Sequence, residues 1–151
     1  MIKVLFICHG NICRSPMAEF LFKDMVKRFG KEDLVYIESC ATSAEEIGNP
    51  VHYGTRRILN DLNIDCSKKR ARRIRISDYD NFDYLICMDM ENKYSLNRII
   101  GNDYKNKVLM LLEYANINRD ISDSWYTGDF NETYKDIMVG LNAFYHFLFN
   151  K

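Results

Sequence analysis

Short apolar runs alternate along this chain with segments whose apolar residues recur at helical spacing. The runs predict strands over residues 1–7, 34–41, 82–88 and 108–112, and the strongest helical pattern extends from Ile137 to Leu148. Strands that alternate with helices connect as parallel βαβ units, and helices then cover both faces of the sheet. We therefore predict an α/β fold with a four-stranded parallel sheet and helices on both faces.

The size and charge of the chain narrow its class. A length of 151 residues predicts a single domain over residues 1–151, and 47% hydrophobic residues exclude a disordered chain. No apolar run approaches the length of a membrane span, so we expect no membrane insertion. Lys plus Arg and Asp plus Glu both number 21. A net charge of zero disfavours nucleic acid and anionic membranes as partners.

The cysteines indicate a reducing compartment. There are five of them, an odd and scattered set, and the opening apolar run is too short for a secretion signal. This combination predicts free thiols and a cytoplasmic location.

The segment Ile7-Cys8-His9-Gly10-Asn11-Ile12-Cys13-Arg14-Ser15-Pro16 carries the chemistry. It places a thiol at the end of a predicted strand and an arginine six residues later, with Ser15 as the expected N-cap of a helix and Pro16 as its first residue. Such a loop can turn its backbone N–H groups inward and bind a phosphate beside the arginine fork. The same positive field favours a thiolate at Cys8.

This segment resembles the active-site loop of the low-molecular-weight protein tyrosine phosphatases. Supporting stretches follow in the same order: residues 67–72 resemble the family's S-x-x-x-A-R stretch, residues 82–89 its strand ending in M-D, and residues 123–130 its D-P-[WY]-Y loop. The resemblance covers essentially the whole chain.

The resemblance implies three catalytic residues. Cys8 would be the nucleophile that forms a phosphocysteine intermediate, and Arg14 would bind the phosphoryl oxygens and stabilise the developing charge. Asp123 would protonate the departing phenolate and then activate water. No metal or other cofactor is expected.

The resemblance also implies a set of substrate-binding residues around these three. Ser15 would hydrogen-bond the Cys8 thiolate, and Asn11 would brace the loop. The expected set is His9, Gly10, Asn11, Ile12, Cys13, Ser15 and Trp125.

The chain departs from the family pattern at several positions. Ser124 stands where the family has a proline, and Lys69 stands where some members carry a histidine. A second loop that carries an aromatic residue in some members has Glu45 and Glu46 here. We therefore expect the substrate pocket to have an aromatic wall on one side only, which contains Trp125.

Two features keep more than one interpretation. The basic run over residues 68–75 is consistent with a solvated face, a docking surface for acidic phosphopeptides or, less readily, a nucleic-acid contact. Cys13 is either a buried packing residue or a redox partner that forms a disulfide with Cys8.

We conclude from the sequence that the chain is a phosphatase acting on protein phosphotyrosine, as a monomer or weak dimer. Phosphoarginine is an alternative substrate, because some bacterial members of the family hydrolyse it. A thioredoxin-coupled arsenate reductase on a similar fold is a further alternative, but no cysteine follows Cys87 to relay a disulfide. A catalytically silent phosphate-binding module is a third, which the presence of Cys8, Arg14 and Asp123 disfavours.

Overall fold

The computed structural model describes residues 1–150, and a four-stranded sheet forms their centre. Its strands are β1 (Ile2–Cys8), β2 (Val35–Ala41), β3 (Tyr84–Cys87) and β4 (Val108–Met110). They lie in the order β2-β1-β3-β4, and all neighbours run parallel. The predicted parallel sheet is confirmed, and its strand ends lie within one or two residues of the predicted ones.

Helices fill the connections between the strands. They are α1 (Arg14–Arg28), α2 (Tyr53–Asp61), α3 (Asp78–Asn81), α4 (Met90–Ile100), α5 (Ser124–Thr127) and α6 (Phe130–Phe149), with 3₁₀ turns at Glu32–Leu34 and Leu111–Ala115. The expected N-cap of α1 was wrong, because Cys13 occupies the cap and Ser15 already lies in the first turn. This earlier start leaves the Ser15 hydroxyl free to face Cys8.

The two faces of the sheet carry separate apolar clusters. Val4 and Phe6 of β1 pack with α1 and α6, whereas Leu5 and Ile7 pack with Leu96 of α4. Successive side chains of a strand point to opposite faces, so one strand supplies both clusters. Each of these five side chains is fully buried. The prediction of helices on both faces is confirmed.

The register of the sheet decides where loops can meet. Ile7 pairs with Cys87 and Cys8 pairs with Ala41, so β1, β2 and β3 end at the same edge. Ligands of open α/β sheets bind beyond this carboxyl edge. Within residues 1–150, every helix is too short or too polar to cross a membrane.

Candidate active site

Residues 9–13 join β1 to α1 and wrap around the sulfur of Cys8. The backbone N–H groups of Asn11 and Ser15 donate to Cys8 Sγ at 3.3 and 3.4 Å. The Ser15 hydroxyl lies 2.9 Å from the same sulfur. Donors that converge on one atom stabilise a negative charge there. The loop is therefore arranged to hold a thiolate.

Asn11 holds the loop in this curled form. Its backbone is left-handed, with φ of 61°, which asparagine tolerates better than most residues. The side-chain Nδ2 donates to Ser15 Oγ at 2.8 Å and to Ser39 Oγ at 2.9 Å. Its Oδ1 accepts the N–H of Arg72 at 3.2 Å. Asn11 is nearly fully buried, so these bonds exchange little with water.

A buried carboxylate lies behind Asn11. Glu19 accepts from Ser39 Oγ at 2.5 Å and from Lys23 Nζ at 2.6 Å. Lys69 approaches it at 3.3 Å and donates to the carbonyl of Ser39 at 2.8 Å. Where some family members carry a histidine, the ammonium of Lys69 here compensates the charge of Glu19. The resulting polar network continues through Ser39 and Asn11 to the loop of residues 9–13.

Arg14 is anchored from below the pocket. Its Nη1 donates to Asp89 Oδ2 at 2.7 Å and to the carbonyl of Ile121 at 2.9 Å. Its Nη2 lies 3.4 Å from Asp123 Oδ2. Burial opposes the charge of the guanidinium, but the surrounding Cys8, Asp89 and Asp123 together raise the pKa of Arg14. The side chain therefore stays cationic inside the site.

Asp123 reaches the site from the loop that precedes α5. It is the N-cap of α5, and its Oδ1 accepts the N–H of Trp125 at 3.1 Å. Its Oδ2 faces Arg14. Ser124 takes the first helical position, which suits the proline that the family pattern has there. The α5 turn forms here without that proline.

These residues line one pocket. Its walls are Cys8, His9, Gly10, Ile12, Cys13, Arg14, Glu45, Glu46, Asp123, Trp125 and Tyr126. Asn11 and Ser15 of the expected set lie beneath it and contact Cys8. The fold therefore brings together all ten of the predicted catalytic and substrate-binding residues.

Two carboxylates, those of Glu45 and Glu46, line the same pocket as Trp125. Glu45 Oε2 lies within hydrogen-bond distance of His9 Nε2, at 3.0 Å, and both side chains are well exposed. The stem of Glu46 lies over Gly10, since a Cβ added there would stand 3.3 Å from Glu46 Cγ. Tyr126 adds a second, 83% exposed ring to the side of Trp125.

Some side chains of this site were missed in the sequence. Asp89 was quoted only as part of the M-D resemblance, yet its carboxylate makes the shortest contact of Arg14. Its place at the end of β3 was the available signal, because this end lies beside that of β1. Tyr126 gave no signal beyond its place next to Trp125.

Several basic side chains of the run over residues 68–75 make contacts within the protein. Arg72 pairs with Asp78 at 3.0 Å and Glu38 at 3.4 Å, and Lys69 faces Glu19. Arg73 donates to the carbonyl of Thr42 at 3.1 Å. Part of the positive charge of this run is therefore paired within the protein.

All five cysteines are free and buried. Burial, together with the charges of Cys8 and Asp123, raises the pKa of Cys13 to about 12. Cys13 therefore stays a neutral thiol, although it belongs to the loop that wraps around the sulfur of Cys8. Within residues 1–150, no group of three or more His, Cys, Asp or Glu side chains is arranged to hold a metal ion.

Comparison with known proteins decides the family. The family described as "Low molecular weight phosphotyrosine protein phosphatase" matches residues 3–151. The chain belongs to this family. The resemblance of the sequence to the low-molecular-weight protein tyrosine phosphatases is confirmed.

Individual relatives of this phosphatase family agree along nearly the full chain. The low molecular weight protein-tyrosine-phosphatase YfkJ of Bacillus subtilis is 41% identical over 142 residues, which cover 93% of this chain and 91% of that protein. A phosphotyrosine protein phosphatase of Schizosaccharomyces pombe is 39% identical, covering 84% of this chain and 83% of its own. The crystal structure of YfkJ superposes with a TM-score of 0.91 at 40% identity, covering 95% and 92% of the two chains.

We predict that Asn11→Ala destabilises this phosphatase more than Asn11→Gly does. Both variants lose the same side-chain hydrogen bonds, but only alanine is strained at a positive φ, so its free energy of unfolding should be lower by about 1 kcal/mol. Urea denaturation measures the difference. Equal stabilities would mean that the loop does not need the left-handed conformation at Asn11. Both variants should also lose kcat/KM, because the loop is no longer braced.

Proposed function

We propose that this member of the family hydrolyses protein phosphotyrosine through a phosphocysteine intermediate on Cys8, within a single domain over residues 1–151. The observation that carries the proposal is the convergence of loop donors on Cys8 Sγ, with Arg14 and Asp123 at the same pocket. As a member of this family, the protein is a phosphoric monoester hydrolase.

The first step transfers the phosphoryl group to sulfur. The Cys8 thiolate attacks phosphorus in line with the ester oxygen, so the S–P bond forms as the P–O bond breaks. Asp123 gives its proton to the departing phenolate. Arg14 and the loop N–H groups bind the equatorial oxygens, where the charge of the transition state lies.

The second step releases phosphate. Asp123, now a carboxylate, takes a proton from water, and the oxygen of that water attacks phosphorus and displaces the sulfur. The hydroxyl of Ser15, 2.9 Å from Cys8 Sγ, donates to the departing thiolate. These residues supply nucleophile, acid, base and charge stabilisation, so the proposed reaction uses no metal and no cofactor.

The depth of the pocket favours phosphotyrosine over phosphoserine. Cys8 is 3% exposed, whereas Trp125 and Tyr126 at the mouth are 56% and 83% exposed. A tyrosine ring spans the distance from such a mouth to the nucleophile, and the short stem of serine does not. The proposed partner is a protein that carries phosphotyrosine, and the proposed location is the cytoplasm. We propose that the enzyme acts as a monomer or weak dimer and binds neither nucleic acid nor a membrane.

Phosphoarginine protein is a second candidate substrate because of the acidic wall. Glu45 and Glu46 line the pocket together with Trp125. Their carboxylates attract a guanidinium near the mouth and repel a dianionic aryl phosphate. Rates on phosphotyrosine, phosphoserine and phosphoarginine peptides, with Cys8→Ser as the blank, decide between the two substrates.

We predict that Cys8→Ser abolishes turnover but retains oxyanion binding, because the loop amides and Arg14 remain.

Asp123→Ala should lower kcat on phosphotyrosine by roughly 10²–10⁴, the usual contribution of a positioned acid. The loss should shrink for aryl phosphates whose phenols are strongly acidic, since their departure needs no proton. An equal loss across both kinds of substrate would remove Asp123 from the role of acid.

The walls of the pocket generate a second prediction. Trp125→Ala should cost about 1–2 kcal/mol in kcat/KM on phosphotyrosine, because the substrate ring loses its stacking partner. Glu45→Trp should raise kcat/KM by adding an aromatic wall, and Glu45→Gln is the matched control that removes only the charge. An unchanged or lower kcat/KM for Glu45→Trp would mean that this loop does not border the substrate ring.

A third prediction concerns peroxide. The Cys8 thiolate reacts with hydrogen peroxide to give a sulfenic acid, and the thiol of Cys13 then displaces water to form a Cys8–Cys13 disulfide. Activity should return with dithiothreitol in the wild type, whereas Cys13→Ser should be inactivated irreversibly. Peptide mapping after mild peroxide identifies the crosslink. Equal irreversible loss in both proteins would contradict this protection.

A further inference from the structure

The short segment of Asp123 and Trp125 is exposed to solvent on one side and packs against other residues on the other. Trp125 is 56% exposed, yet its N–H binds Asp123 Oδ1 at 3.1 Å. A shift of the Trp125 backbone would therefore break this hydrogen bond or reorient the carboxyl group of Asp123. The position of the proposed acid depends on what holds Trp125 in place.

His52 provides that support. Its ring meets the indole of Trp125 edge-on, with centroids 5.4 Å apart and an interplanar angle of 78°. It also stacks flat on Phe130, with centroids 5.2 Å apart and an angle of 8°. The Phe130 ring also packs directly against the backbone of Gly54, where an added Cβ would lie 2.6 Å from the ring. We call the residues His52, Gly54, Trp125 and Phe130 the His52 stack.

The His52 stack is joined to the phosphate loop as well. The N–H of His52 donates to the carbonyl of Ile12 at 2.8 Å. Phe130 packs against the small apolar cluster of Ile12, Cys13 and Ala71. The ring of His52 thus contacts Trp125, two residues after Asp123, while the backbone of His52 binds the loop that holds Cys8.

His52 has a separate, local role in α2. It is the N-cap of this helix, and its Nδ1 accepts the N–H of Gly54 at 3.1 Å. Asparagine can supply the same cap without the ring, and phenylalanine can supply the ring without the cap. The two substitutions therefore separate capping from stacking.

We propose that His52 is a positioning residue that holds Asp123 over the reacting ester through its ring contacts with Trp125 and Phe130. The proposal rests on Asp123 being the general acid of the proposed function. His52 itself touches no reacting atom, so its loss should affect only the steps in which Asp123 gives or takes a proton.

The test measures kcat/KM for aryl phosphates whose phenols range from weakly to strongly acidic. His52→Asn should lower kcat/KM about tenfold for the weakly acidic phenols, where misplacing a catalytic group is costly, and less than about twofold for the strongly acidic ones. His52→Phe should keep the wild-type dependence on phenol acidity and lose thermal stability. Gly54→Ala, which displaces the Phe130 ring, should resemble His52→Asn.

Two controls exclude a general loss of structure. Inhibition by inorganic phosphate should be unchanged in His52→Asn, because the phosphate loop is intact. Tyr79→Phe, which removes the hydroxyl that contacts Asp103 at 2.6 Å and Lys105 at 2.8 Å, destabilises the protein away from the site and should leave the dependence on phenol acidity unchanged.

The outcomes distinguish this proposal from the proposed function. If Asp123→Ala shows no greater loss on weakly acidic phenols, Asp123 is not the acid and both proposals fail. If Asp123→Ala shows that loss but His52→Asn does not, only the role of His52 is overturned. A loss in His52→Phe as large as in His52→Asn overturns it too, because an aromatic ring at this position would then not be enough to hold Asp123.

Discussion

Between the last residue of β1 and the first of α1, residues 9–13 must reverse direction while turning their amides toward Cys8. The left-handed backbone of Asn11 makes this turn, and its buried side chain ties the loop to Ser15 and Ser39. A sulfur surrounded by fixed donors needs no rearrangement when charge develops on a bound phosphate. The rest of the site is built against this loop.

Charge balance around Arg14 is the second constraint. A buried guanidinium is costly unless it is paired, and Asp89 and the carbonyl of Ile121 provide the pairing from below. These contacts use Nη1 and fix the plane of the side chain. Asp123 approaches Nη2 at 3.4 Å, so the proposed acid and the proposed phosphate clamp share one electrostatic environment.

The departures from the family pattern cluster at the mouth and behind the loop. Glu45 and Glu46 make one wall acidic, which bears on the choice between an aryl phosphate and a guanidinium phosphate. Ser124 replaces a proline, so the acid segment depends more on external contacts for its order. The ring of His52 against Trp125 is such a contact. Lys69, in turn, balances the buried Glu19.

The alternation of strands and helices, and the segment from Cys8 to Pro16, were readable from the sequence because periodicity and loop motifs are local properties. The start of α1 was not, since the Ser15 hydroxyl serves the Cys8 sulfur and not a helix cap. The contact of Asp89 with Arg14 and the ring contacts behind the proposed role of His52 are visible only in the tertiary structure. Both depend on segments distant in sequence meeting at one edge of the sheet, and that proximity is decided by strand order and packing.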